Sequence, residues 1–223
     1  MHPALQKCSL FFNVPEAELR TLLDAVPHPI RRFAKGEILF RQMEKADRIG
    51  IILEGRVQAQ KPFPNGSQIN VSVGTPGDLV GAAAAFSESQ RYPCDVAALE
   101  PAAVMVLRKK DVLSLMQKDL RVLENMTRQI ATAVYMLQQR LELLSYHGIA
   151  QKAACFLLIR SRHTETQTVR IPGSVSNWAM ILHVSRPSLH RELRSMEAAG
   201  LIAYTPPTIR ILDAEALQAL LRQ

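Results

Sequence analysis

Residues 174–200 read SVSNWAMILHVSRPSLHRELRSMEAAG, and this stretch decides the fold of the C-terminal part of the chain. Ser174 and Ser185 each precede an apolar run, and a serine at such a position caps a helix by accepting a backbone N–H. Gly200 is the residue type that ends a helix in the left-handed conformation. The apolar residues of the second run recur at helical spacing: Leu189, Leu193 and Met196. The stretch therefore predicts two helices joined by a turn at 183–184.

The polar face of the second helix carries residues suited to contact DNA. They are Ser185, Arg186, Pro187, Ser188, His190, Arg191 and Arg194. Arginine donates two parallel hydrogen bonds to guanine, and the major groove of B-DNA admits a helix. Pro187 fits the first helical turn, because the N–H that it lacks has no helical partner there. Residues 201–204 and 208–212 predict a two-stranded wing, and Asp213 predicts the cap of a last helix. We therefore expect binding to double-stranded DNA through a winged helix-turn-helix.

A different pattern occupies residues 30–107, where short apolar runs are separated by glycine or proline. Runs of this length and spacing are typical of an antiparallel barrel or sandwich. The clearest hairpin turn is Asn65-Gly66, since this pair suits the left-handed conformations of a two-residue turn. Ahead of these runs, Leu19, Leu22 and Leu23 predict one face of a short helix.

One long helix is the simplest account of residues 119–147, which contain no glycine or proline. Its apolar residues repeat every seven positions, with further members four residues after two of these. We call them the seam residues: Leu123, Ile130, Val134, Leu137, Leu141 and Leu144. This pattern is typical of a coiled coil and predicts a parallel dimer interface. The alternative is a helix packed on its own barrel. The polar Thr127 interrupts the seam, and Gly148 predicts a hinge.

These patterns divide the chain into three parts. We predict an α+β protein with a sensor barrel and short N-terminal helices over residues 1–110. A dimerisation helix follows over residues 111–147, and a winged helix-turn-helix domain over residues 148–223.

The composition favours a polyanionic partner and argues against a secreted or membrane protein. The chain has 27 Lys and Arg against 20 Asp and Glu, a net charge of +7. Cys8, Cys94 and Cys155 are odd in number and far apart, which gives neither a disulfide framework nor paired metal ligands. No stretch approaches the length of a membrane span. We expect a cytoplasmic protein with reduced thiols and no membrane partner.

The main alternative from another class is a cupin-like barrel enzyme. Such an enzyme needs His and carboxylate ligands on its strands to hold a metal. No histidine occurs between His28 and His147, and the chain has no P-loop and no nucleophile-elbow motif. The sequence therefore predicts that the protein is not an enzyme.

Several motifs occur in a characteristic order. Residues 52–57 read ILEGRV, residues 76–81 read PGDLVG and residues 184–191 read VSRPSLHR. In this order they resemble two barrel motifs and the recognition-helix motif of the Crp/Fnr superfamily of bacterial transcription regulators. The resemblance implies a homodimer with a jelly-roll barrel like that of cyclic-nucleotide-binding proteins. It also implies a palindromic operator, RNA polymerase as a partner, and Arg186 and Arg191 as base-reading residues.

The resemblance places an effector pocket in the barrel, and the chain departs from the family there. Relatives that bind cyclic AMP have a Glu where Ala82 stands and an Arg-Ser pair where Tyr92-Pro93 stands. Arg91, one place early, fits the cyclic phosphate only in a shifted register. The pocket candidates that the resemblance implies are Gly81, Ala82, Ala83, Phe86, Arg91, Tyr92, Pro93, Ala133 and Val134.

Ala133 and Val134 would meet the adenine, and their side chains offer it no hydrogen bond. We therefore expect an unidentified small-molecule signal other than a cyclic nucleotide. A cyclic-nucleotide-responsive regulator with a shifted phosphate site is the alternative. The run from Ala82 to Phe86 indicates either an apolar pocket or an interior filled by its own side chains.

Other sensing chemistries of the family need residues that are scarce here. An iron–sulfur cluster takes four thiolates, and the chain has three cysteines. Haem needs an axial ligand. The histidines of the sensor barrel and the dimerisation helix are His2, His28 and His147, and these are the candidate ligands. A thiol switch at Cys8 or Cys94 is a further alternative. The sequence predicts no cofactor, with haem as the option kept open.

Overall fold

The computed structural model describes residues 1–62, 68–161 and 166–222. The chain forms two compact units, Met1–Thr132 and Ala133–Gln223. The hairpin turn predicted at Asn65-Gly66 lies outside the described residues.

Within the described residues, the first unit contains two antiparallel four-stranded sheets, which give the predicted barrel. Their strands are β1 (Ile30–Phe33), β2 (Ile38–Phe40), β3 (Arg48–Glu54), β4 (Val57–Pro62), β5 (Gln68–Gly74), β6 (Leu79–Val80), β7 (Asp95–Ala98) and β8 (Ala102–Arg108). The strand orders are β1-β8-β3-β6 and β2-β7-β4-β5. The apolar runs of the sequence thus become paired strands.

Within the described residues, five α-helices accompany these strands along the chain up to residue 145. They are α1 (Pro3–Lys7), α2 (Glu16–Asp24), α3 (Ala82–Phe86), α4 (Lys109–Lys118) and the long α5 (Leu120–Ser145). The observed limits of α5 lie within the predicted 119–147.

Alternate residues of β8 face two different apolar clusters, as the pleat of a strand requires. The outer cluster packs Met105 and Leu107 against the N-terminal helices. The inner cluster holds Ala102 with Phe40 and Tyr92. The sheet that contains β8 therefore has an outer face under α1 and α2 and an inner face inside the barrel.

The first unit extends beyond the boundary predicted at residue 110. Apolar side chains of α4 and of the first turns of α5 belong to the outer cluster: Val112, Leu115, Met116, Val122 and Met126. Burying this apolar surface joins both helix segments to the barrel. The compact unit consequently ends at Thr132 rather than before α4.

The second unit surrounds a core of its own. Its elements are α6 (Ile149–Ser161), β9 (Thr168–Arg170), α7 (Val175–Ile181), α8 (Arg186–Ala198), β10 (Ile202–Thr205), β11 (Thr208–Ile211) and α9 (Ala214–Leu220). The strands form an antiparallel sheet in the order β10-β11-β9. Trp178, Leu189 and Leu193 are fully buried in this core. In the described part of the chain, no helix is both long and apolar enough to cross a membrane.

Candidate DNA-binding and sensor sites

Serine caps set the start of both helices of the helix-turn-helix. The Ser174 hydroxyl accepts the N–H of Asn177 at 3.1 Å, and α7 begins at the next residue. The Ser185 hydroxyl accepts the N–H of Ser188 at 3.2 Å, and α8 follows. His183 in the turn takes a left-handed backbone with a φ of 54°. Both predicted caps are thus present, on either side of a tight turn.

The two faces of α8 differ as the sequence pattern predicts. Leu189 and Leu193 are fully buried and Met196 is 2% exposed. The opposite face is open to solvent along most of its length, apart from the half-buried Ser188. The exposed members of the predicted DNA-binding set are Ser185, Arg186, Pro187, His190, Arg191 and Arg194.

The arginines on this face are not equivalent. Arg194 donates to a Glu197 carboxylate oxygen at 2.8 Å, and its guanidinium lies 5.8 Å from the centre of the Tyr204 ring. Arg186 and Arg191 make no ion pair within the described residues. Their guanidinium groups are therefore available to an external partner, whereas that of Arg194 is held against the wing.

Glu197 links the exposed helix to the wing, a role that the sequence analysis missed. Its second carboxylate oxygen accepts the N–H of Tyr204 on β10 at 3.0 Å. This hydrogen bond, together with Arg194, lowers the pKa of Glu197. Its signal in the sequence is the spacing of three residues from Arg194, which places the two side chains on one helix face. His190 packs edge-on to the same Tyr204 ring, with centroids 6.5 Å apart.

The three-stranded sheet that contains the wing adds two further cations. β10 pairs with β11, and β11 pairs with β9. Arg170 on β9 and Arg210 on β11 are exposed, while Ile209 and Ile211 turn into the core. Strand alternation thus gives the wing sheet one apolar and one basic face.

Inside the barrel, an aromatic pair fills the space beside the candidate effector pocket. Tyr92 is 4% exposed and stacks on Phe40, with ring centroids 4.6 Å apart. Its hydroxyl donates to the Arg48 carbonyl at 2.8 Å, and burial raises its pKa to about 12. A Cβ atom added to Gly81 would lie 3.1 Å from the Tyr92 ring. Of the two interpretations of this region, the structure favours a filled interior.

The other pocket candidates of the first unit are exposed to solvent or pack against the outer cluster. Ala82 and Phe86 pack against the outer cluster, and Ala83 and Pro93 are exposed. The Arg91 guanidinium is exposed and donates to the Met43 carbonyl at 2.8 Å. Of the candidates in the first unit, Gly81 lies beside the Tyr92 ring, and Tyr92 belongs to the inner cluster. Ala133 and Val134 belong to the second unit, where both are exposed.

The seam residues of α5 are partly exposed to solvent in the single chain. Their exposures are Leu123 42%, Ile130 41%, Val134 52%, Leu137 58%, Leu141 60% and Leu144 40%. The hydroxyl of Thr127 donates to the Leu123 carbonyl at 2.9 Å, so the polar member of the row is satisfied within its own helix. Among neighbouring residues of α5, Val122, Met126 and Leu143 are buried.

Comparison with known proteins places these features in one family. Residues 30–119 match the cyclic nucleotide-binding domain family, and residues 151–220 match the Crp-like helix-turn-helix domain family. The chain belongs to the Crp/Fnr superfamily. It is a Crp/Fnr-type transcription regulator, and the helix-turn-helix domain is its DNA-binding domain.

Individual Crp/Fnr relatives are distant but cover most of the chain. The transcriptional activatory protein AadR of Rhodopseudomonas palustris is 24% identical over 194 residues, which span 85% of this chain and 80% of that protein. The transcriptional activator protein FnrA of Stutzerimonas stutzeri is 26% identical, spanning 89% and 82%. The structure of the Thermus thermophilus catabolite activator protein covers 96% of this chain and 98% of its own, with a TM-score of 0.57 and 20% identity. That structure shares the fold.

The environments of Cys8 and Cys94 in this Crp/Fnr regulator disfavour the thiolate. Burial raises the pKa of Cys8 to about 11, and burial also raises the pKa of the half-buried Cys94. Since the thiolate is the reactive form, a raised pKa disfavours a thiol switch. In the part of the chain that the structure describes, no three His, Cys, Asp or Glu side chains are grouped as metal ligands.

Proposed function

We propose that this regulator binds a palindromic operator as a homodimer and responds to a signal other than a cyclic nucleotide. The observation that carries the proposal is the pair of faces on α8. Its buried face fixes the helix to the domain core, and its exposed face presents the unpaired guanidinium groups of Arg186 and Arg191.

The seam residues support a dimer. Six apolar side chains at coiled-coil spacing, each between 40% and 60% exposed, are covered when two copies of α5 pack side by side. A two-fold dimer presents two copies of α8 to half-sites about one helical turn, roughly 34 Å, apart on the duplex. Palindromy of the operator follows from this symmetry.

Within α8, each residue has a proposed role. Arg186 and Arg191 read guanine, and each bidentate contact contributes about 1–3 kcal/mol of discrimination. Ser188, His190 and Arg194 contact phosphate or flanking bases, and Ser185 and Pro187 shape the first helical turn. Arg194 reaches phosphate from its fixed position beside Tyr204, where Glu197 holds it.

The contacts of Arg91 and Tyr92 in the barrel support a signal other than a cyclic nucleotide. A cyclic phosphate requires a charge-assisted partner such as arginine. Arg91 is instead engaged with the Met43 carbonyl, and Tyr92 occupies the interior beside Gly81. The activator names of AadR and FnrA support a further proposal that operator binding leads to contact with RNA polymerase.

A DNA-binding titration tests the base-reading role of Arg191. Fluorescence anisotropy with an operator selected from random duplexes should show roughly 5- to 150-fold weaker binding for Arg191→Ala, because a bidentate guanine contact is lost. Arg41→Ala, which removes an exposed arginine from the sensor unit, should leave the affinity unchanged. Cyclic AMP should not change the wild-type affinity. Equal affinity and sequence preference of wild type and Arg191→Ala would contradict the assignment.

A further inference from the structure

A cavity of about 220 Å³ lies on the outer face of the barrel, where α1 and α2 cover β1 and β8. Its floor is apolar and buried, since Leu5, Leu23 and Met105 are 2%, 4% and 3% exposed. The other residues that line it are Met1, His2, Arg20, Asp24, His28 and Ile30, and we call them the rim. None of the effector-pocket candidates lines this outer cavity.

The two histidines of the outer cavity differ in what they offer a ligand. The Nδ1 of His28 lies 2.9 Å from the Val26 carbonyl, which only accepts, so Nδ1 carries the proton of the neutral ring. The Nε2 of His28 is then a hydrogen-bond acceptor, and it has no partner among the described residues. His2 has the opposite tautomer: its Nδ1 accepts the N–H of Ala4 at 3.3 Å. Its Nε2 faces a Glu54 carboxylate oxygen at 3.5 Å.

The charged groups of the rim also differ in whether a neighbouring side chain pairs with them. Arg20 is engaged with Glu16, at 3.5 Å between Nη2 and Oε1. Asp24 has neither an ion pair nor a side-chain hydrogen bond within the described ranges. The outer cavity thus combines an apolar floor with two acceptors that have no protein partner among the described residues, Asp24 and the Nε2 of His28. Small-molecule sites in proteins commonly pair an apolar lining with a few such polar groups.

We propose that the outer cavity binds a small apolar molecule of single-ring size that carries a hydroxyl or amino group. Small-molecule pockets commonly measure about 300–1,000 Å³, so the smaller volume here limits the ligand to about one ring. The ring packs on Leu5, Leu23 and Met105, and the hydroxyl or amino group donates to His28 or Asp24. Arg20 on the rim is paired with Glu16, whereas the Asp24 carboxylate is not paired among the described residues and repels an anionic ligand. This binding does not depend on the proposed function, because it involves neither DNA nor the seam.

Ligand-observed NMR with phenol as the probe tests the site in the full-length protein. Saturation transfer should detect phenol, and benzoate, which carries a carboxylate in place of the hydroxyl, should give no signal. His28→Phe keeps a ring of similar shape but removes Nε2, and should raise the Kd for phenol about 2- to 10-fold, as expected for one lost hydrogen bond. His147→Phe, at an exposed histidine outside the cavity, is the matched control and should not change the Kd.

A second variant tests the outer cavity independently of whether His28→Phe folds. Ile30 is 55% exposed at the rim, so Ile30→Trp adds an indole over the opening without disturbing buried packing. This variant should lose phenol binding and keep wild-type affinity for DNA. Absence of a phenol signal in the wild type, equal signals from phenol and benzoate, or wild-type phenol binding by Ile30→Trp would each overturn the proposal. None of these results would affect the assignment of Arg191.

Discussion

Ser174 stabilises α7 as its N-cap residue. Its hydroxyl accepts the Asn177 N–H at 3.1 Å, one of the donors that a helix start leaves without a partner. Ser174→Ala should lower the free energy of unfolding by about 1 kcal/mol, measured by urea denaturation. Ser195→Ala, at an exposed position inside α8, loses no cap and should change stability little. Equal losses in the two variants would show that the cap is not the cause.

Glu197 makes the attachment of the wing depend on pH. The Tyr204 N–H and then Arg194 lower its pKa below the ordinary 4.5, so its ionised form stabilises the folded state. That contribution is fully present above pH 4.5 and is lost as the pH falls through the lowered pKa. Thermal unfolding of wild type and Glu197→Gln should therefore show a higher Tm for the wild type at pH 7. The difference should shrink below pH 4.5, and a difference that stays constant in acid would be inconsistent with this role.

Side-chain roles that depend on sequence neighbours could be predicted, and those that depend on distant parts of the chain could not. Ser174 and Ser185 were identifiable because a cap and the N–H that it accepts lie within three residues. Tyr92 was recognisable as a departure from the cyclic AMP motif. Its stack on Phe40 was not predictable, since the barrel brings together residues that are far apart in sequence.

At the scale of elements, α5 leaves the apolar seam residues partly exposed to solvent in the single chain. Leu137→Glu places a charge in the middle of the seam and should convert the protein to a monomer with weaker operator binding. Met136→Glu is the matched control, because Met136 is similarly exposed, at 52% against 58% for Leu137, and lies outside the seam. Sedimentation at several concentrations separates monomer from dimer. Dimers of equal stability in both variants would place the interface elsewhere.

Element types were predictable from periodicity, while the grouping of elements was not. The absence of glycine and proline over residues 119–147 predicted α5 within two residues at each end, with observed limits Leu120–Ser145. The extent of the first unit, up to Thr132, depends on Leu115 and Val122 being buried in the outer cluster. A helix that packs on a barrel and one that links two domains have similar amphipathic patterns, so the boundary required the structure.

At the scale of the whole molecule, net charge favours binding to any DNA duplex, whereas sequence preference depends on the side chains that the fold presents. The net charge of +7 favours approach to any duplex, and such contacts weaken with added salt. Sequence preference has to come from the few side chains that reach base edges, the role that we propose for Arg186 and Arg191 on α8. The barrel has an interior filled by Tyr92 and an outer cavity that the sequence pattern did not reveal.

Selection of bound sequences from a random duplex pool by the full-length protein tests the central claim most directly. We predict enrichment of a palindrome with guanine in each half-site and half-site centres about 10–10.5 base pairs apart. The Arg191→Ala protein should lose the preference at one position of each half-site while keeping the spacing. Enrichment of single, non-palindromic sites, or no enrichment at all, would contradict a dimer that reads DNA through α8.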